Sequence, residues 1–165
     1  MAVVVLDGGW STTVQAEHAL AEAAARLGLA PRTACTEFRT DPARVVVRLD
    51  LDGPAPEDLG DLVAEDAGTP ITTGRAFIFA GSQTLTGVVR VHDLFHRTAI
   101  DDVLLMGGAQ AGPGLELDTQ DFVRPVYRDG RLVLFTRPGP AGRIVPFEQP
   151  HPTPCCADHD SLGVT

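Results

Sequence analysis

Residues 2–6, Ala-Val-Val-Val-Leu, form a short unbroken apolar run closed by Asp7-Gly8-Gly9. A run of this length bounded by a turn signal predicts a buried strand. A helix is expected next. Thr12 and Gln15 have the spacing of a capping box, Gly28 supplies the stop, and Pro31 prevents resumption. Val14, Ala21, Ala24, Ala25 and Leu27 are assigned to its apolar side. Residues 33–39 and 44–51 read as strands separated by a turn at Asp41-Pro42, a pair suited to antiparallel association.

After the break Gly53-Pro54-Ala55-Pro56, residues 57–67 are expected to form a short acidic helix with Leu59, Leu62 and Val63 inward. Residues 75–80 and 85–92 are the next strand candidates, and Asp93–Met106 reads as a helix closed by Gly107-Gly108. The segment 107–114, Gly-Gly-Ala-Gln-Ala-Gly-Pro-Gly, is too glycine-rich for an element interior and is the best candidate for an internal boundary.

Beyond it lies the clearest local signal of the chain. Residues 126–128 and 131–135 flank Asp129-Gly130, a dipeptide suited to a hairpin turn in which both central residues take positive φ. A second return through residues 138–142 would add 143–148 as a third strand. The pattern predicts an α+β fold: a mostly antiparallel sheet with two or three helices packed on one face, ending in a C-terminal hairpin meander. Residues 1–148 are expected to form a single α+β domain, and 149–165 a proline-rich tail carrying cysteine and histidine.

Length and composition fit this reading. A chain of 165 residues, 44% hydrophobic and 21% charged, suits one globular domain with an ordinary core. No apolar stretch approaches the roughly twenty residues needed to cross a bilayer, and the start lacks the basic and apolar regions of a signal peptide. Cytoplasmic placement is therefore expected, in keeping with three cysteines that show no framework spacing.

Charge and absent residue types narrow the chemistry. All thirteen basic residues are arginine, and the chain has neither lysine nor asparagine. Schiff-base chemistry, a phosphate-binding Walker lysine and N-glycosylation are thereby excluded. The net charge is −9, and Asp50, Asp52, Glu57, Asp58, Asp61, Glu65 and Asp66 lie between Arg48 and Arg75 with no basic residue among them. Such a field opposes nucleic acid and anionic lipid, whose binding depends on basic groups displacing counterions. The acidic stretch itself reads as a solvated face.

Four constellations could carry chemistry. The first is the tail, where His151, Cys155, Cys156 and His159 fall within nine residues and could close a four-coordinate zinc or copper site. The adjacent cysteines are an awkward spacing for one ion, and the competing reading is a tail that packs on its own domain or on a partner. The second is His92 and His96. If the predicted helix starts one residue early, both imidazoles share a face with Asp93 beside them, suiting a mononuclear metal site or a catalytic acid/base pair. The His-Glu-x-x-His pattern of zinc proteases is absent.

The third is the loop Asp7–Thr13, whose glycines and following helix start could receive an anion, although it matches no nucleotide fingerprint. The fourth is Cys35 as a lone nucleophile, set in what reads as a strand interior. Two functions follow as expectations: a small metal-binding protein, or a non-catalytic accessory module that uses its sheet and tail as a protein–protein contact surface, as a homo-oligomer or with a partner.

Overall fold

In the computed structural model, which describes residues 2–56, 58, 62–66 and 69–150, the chain begins with strand β1 (Ala2–Trp10) and helix α1 (Thr13–Leu27). The helix ends follow the capping chemistry. Thr12 Oγ1 accepts from the Gln15 N–H at 3.2 Å, Gln15 Oε1 reaches back to the Ser11 N–H at 3.1 Å, and Gly28 closes the helix at φ 64°. The buried side of α1 differs from the expected one. Ala16, Leu20 and Ala23 face the core, whereas Val14 is 74% exposed. Six alanines spread around the helix give little contrast between faces, so the one large residue on the i, i+4, i+7 stripe, Leu20, sets the inward side.

Strands β2 (Pro31–Thr40) and β3 (Ala43–Leu51) form the anticipated antiparallel pair, joined through the cis Asp41–Pro42 bond. Both β1 and β2 run antiparallel to β3, so β3 lies between them and α1 joins two parallel strands that do not touch. This is a split β–α–β unit. Val4, Leu6, Val45, Val47 and Leu49 bury one face of it against Ala16 and Leu20.

The acidic helix expected over 57–67 is not formed at Val63–Asp66, which is strand β4, antiparallel to β1. The open edge of β1 offers main-chain partners that a short acidic helix lacks. Residues 57, 59–61 and 67 lie outside the described residues.

The second half comprises β5 (Gly74–Ile78), β6 (Val88–Arg90), α2 (Val91–Arg97), β7 (Asp102–Leu105), β8 (Glu116–Asp118), β9 (Val126–Arg128), β10 (Arg131–Pro138) and β11 (Ile144–Pro146). The Asp129-Gly130 hairpin has both turn residues at positive φ, 52° and 77°. β11 returns antiparallel to β10, as the proline-glycine break implied.

The predicted helix 93–106 is corrected: α2 ends at Arg97, and β7 pairs in parallel with β10. Thr98 stops the helix, its extended backbone and hydroxyl turning to the Leu94 carbonyl at 3.0 Å. Val103-Leu104-Leu105 then gains a distant partner strand, which overrides the local helical period. The strand expected over 85–92 is reduced to Val88–Arg90, because residues from Val91 onward coil into α2.

Among the described residues, the strands join one mixed, mostly antiparallel sheet in the order β4-β1-β3-β2-β5-β9-β10-β11-β8-β6, with β7 on β10. The β2–β5 pairing makes the two halves continuous. A second core, built from Phe79, Leu85, Leu94, Ile100, Val103, Leu117, Leu132 and Leu134, fills the second half and takes in Cys35 from β2. No helix among the described residues is long and apolar enough to cross a membrane.

Segment 107–114 folds back on its neighbours. The Ala111 N–H donates to the Val103 carbonyl at 2.8 Å, and the Pro113 and Leu115 carbonyls accept from the His92 and Val91 N–H groups, each at 3.0 Å.

Candidate functional site

Helix α2 begins at Val91, so the condition for a shared histidine face is met. Val91 and Leu94 are buried in the second core and fix the rotation of this short helix. Its first N–H groups are held by the 113–115 carbonyls, a position where an unsatisfied donor would otherwise be left. Anchored on that side, α2 carries His92, Asp93 and His96 on the outside, with the imidazoles one turn apart.

The two Nε2 atoms stand 3.2 Å apart, with ring centroids at 4.5 Å and planes at 60°. The other nitrogen of His92, Nδ1, lies 3.2 Å from Asp93 Oδ1. With His92 in the tautomer that donates Nδ1–H to this carboxylate, its Nε2 lone pair faces His96 and is free to accept a hydrogen bond or a metal ion. Two imidazole nitrogens bound to one zinc ion at about 2.0–2.1 Å and at a tetrahedral angle would be about 3.3 Å apart. The gap therefore matches the bite of a metal ion as well as the length of a hydrogen bond. A carboxylate on the remote nitrogen is the usual orienting partner of a metal-bound imidazole.

No group of three or more His, Cys, Asp or Glu side chains gathers at a metal-binding spacing among the described residues, so any further ligands at this pair would come from solvent or from elsewhere. The tail candidates His151, Cys155, Cys156 and His159 lie outside the described residues.

The other two sequence candidates are occupied by structure. Asp7 Oδ1 accepts from the Gly9 N–H at 3.0 Å, and its second oxygen pairs with Arg44 across the sheet. Burial pushes the Asp7 carboxyl up, but the Gly9 N–H and the Arg44 guanidinium outweigh it and hold the group below its ordinary value. A carboxylate thus fills the loop in which the sequence suggested an anion site. A side chain on Gly8 would meet the Trp10 ring at 2.6 Å, so the indole closes over this glycine. Cys35 is fully buried in β2, and burial pushes its thiol up to about 12, the opposite of an activated nucleophile.

A second polar assembly has no counterpart in the sequence reading. Glu17 on α1 accepts from Arg75 on β5 and from Arg124 Nη2 at 2.9 Å, and Arg75 Nε also donates to Glu148 at 2.6 Å. The Phe122 ring lies 4.2 Å from the Arg124 guanidinium carbon and 6.0 Å from that of Arg75. Burial works against the Arg75 charge, yet its two carboxylate partners hold the guanidinium above its ordinary pKa. The residues are 58 and 107 positions apart in the chain, so no local pattern could have announced them. Beside this assembly, α1 and the β10–β11 end of the sheet enclose a groove of about 1150 Å³.

Comparison of the chain with protein-family models, curated proteins and solved structures gives no match.

Proposed function

We propose that this protein binds a borderline transition-metal ion, zinc or copper, with His92 and His96 as a preformed chelating pair and Asp93 orienting His92. The observation that carries the reading is the 3.2 Å separation of the two Nε2 atoms on a helix held from the core side. A prearranged pair lowers the ordering cost of binding, because side-chain freedom is given up before the ion arrives. The tail donors His151, Cys155, Cys156 and His159 are proposed as a second, thiolate-bearing site for the same class of ion.

The contact chain Asp93–His92–His96 also suits proton transfer. His92 and Asp93 side chains are 61% and 45% exposed, however, which favours an accessible binding site over a water-excluding catalytic one.

Calorimetric titration of zinc into the full chain is expected to show two distinguishable events. His92→Ala/His96→Ala abolishes one and leaves the other, and Cys155→Ser/Cys156→Ser does the reverse. Undiminished zinc uptake by the histidine variant would remove the chelate reading.

A second reading, self-association with a second copy of the chain, is favoured by a different observation. Met106 and Phe147 are 62% and 59% exposed and flank a cleft of about 440 Å³ floored by Phe135. A stable dimer buries at least about 1,000 Å². Sedimentation would then show a dimer that Met106→Asp dissociates, while a concentration-independent monomer would dismiss this reading.

A further inference from the structure

We infer that the groove between α1 and the end of the sheet is a binding site for a small organic monoanion with an aromatic or aliphatic body, an aryl or acyl carboxylate or sulfonate.

Arg75 spends its Nε and both Nη groups on Glu17 and Glu148, and Arg124 gives its Nε and Nη2 to Glu17 and its Nη1 to the Val123 carbonyl. Two arginines and two glutamates thus cancel. The Arg137 side chain, which also lines the groove, has no hydrogen-bonding or ion-pairing partner among the described residues, and the residue is only partly exposed. Among the described residues, with Arg124 neutralising Glu17 from outside the groove, one positive charge is left over beside it, in a protein whose net charge is −9. A half-buried cation without a counterion is costly to the free protein and is relieved by an anion, which a guanidinium receives through paired N–H donors.

Shape and polarity supply the rest. Val14 and Phe147 are 74% and 59% exposed and face the same cavity as Arg137, and Phe122 forms part of its wall. The volume, about 1150 Å³, is of the size that holds small organic ligands rather than a bare inorganic ion. Val14 is the residue that the rotation of α1 turned out of the core, so the same packing choice that fixed Leu20 inward furnished an apolar wall to the groove. The carboxylates of Glu17 and Glu148, already engaged by Arg75, set a limit of one anionic group on the ligand, since a second would meet them without a spare cation.

Fluorescence titration of the full chain with anilinonaphthalene sulfonate, a monoanionic aromatic dye, and with uncharged phenylnaphthylamine separates the two contributions. The anionic dye is expected to bind more tightly than the neutral one. Arg137→Gln is expected to weaken the anionic dye about tenfold or more while leaving the neutral dye unchanged, Arg137→Lys to keep most of the preference, and Phe147→Ala to weaken both. Near-ultraviolet circular dichroism of each variant reports whether the fold is kept. Unchanged affinity of the anionic dye in folded Arg137→Gln, equal losses for both dyes, or no binding of either dye to the unaltered chain would overturn the inference.

Discussion

Replacing Gly81 by alanine is expected to cost about 4 kcal/mol or more of stability, read as a lower midpoint in chemical denaturation. Gly81 has φ +81°, a region that side chains enter at a cost of about 1–3 kcal/mol. A Cβ built there would lie 1.9 Å from the Arg97 carbonyl oxygen and 2.8 Å from Thr98 Cα, both main-chain atoms that no rotamer change can move aside. Relief requires shifting the end of α2 away from the turn at Ser82–Thr84, at the expense of the Ala99 N–H bond to the Ala80 carbonyl. His96 precedes Arg97, so a surviving folded fraction should also show weakened zinc binding. Gly112→Ala is the control, because nothing lies within 4 Å of its added Cβ and its φ needs no glycine. Equal stability of the two variants would contradict the close approach of α2 to Gly81.

The second large effect concerns Glu17. Truncation to alanine leaves Arg124 without a carboxylate and Arg75 with Glu148 alone. The side chains of Glu17, Arg75 and Arg124 are 18%, 16% and 19% exposed, between the fully buried case, where removing one partner costs about 3–5 kcal/mol, and the surface case of about 0–1 kcal/mol. A loss of about 2–3 kcal/mol is expected, together with a coupling of about 1–2 kcal/mol to Arg124→Met in a double-mutant cycle. A loss below about 0.5 kcal/mol would show that the pairs are screened as ordinary surface contacts. This assembly ties α1 to the second half of the sheet, so its failure should also loosen the groove that Arg137 lines.

Legibility of the fold in the sequence followed how local each decision was. The Thr12–Gln15 cap, the Gly28 stop and the Asp129-Gly130 turn are set by residues within a few positions of one another, and each stands where its chemistry put it. The pairing of β2 with β3 was likewise legible, being a near-neighbour return. The face of α1 was not, because alanine on every side removes the contrast that periodicity needs. Nor was the end of α2. Residues 93–106 keep a helical pattern, but the parallel pairing of β7 with β10, across about thirty residues, decides the outcome.

The site divides the same way. The spacing of His92 and His96 could be read directly, and their convergence followed once α2 began at Val91. The ring orientations and the Asp93 contact are side-chain rotamer choices within one helix, and the Arg–Glu assembly depends on packing between distant segments, and spacing alone encodes neither.

The central claim, a metal held between two imidazoles, is tested most directly by long-range nitrogen–proton NMR of the histidine side chains during zinc titration. Stoichiometric zinc is predicted to shift the Nε2 resonances of His92 and His96 together, while His92 Nδ1 stays protonated against Asp93. Unmoved Nε2 signals at both residues, with zinc perturbing other histidines or none, would contradict the account.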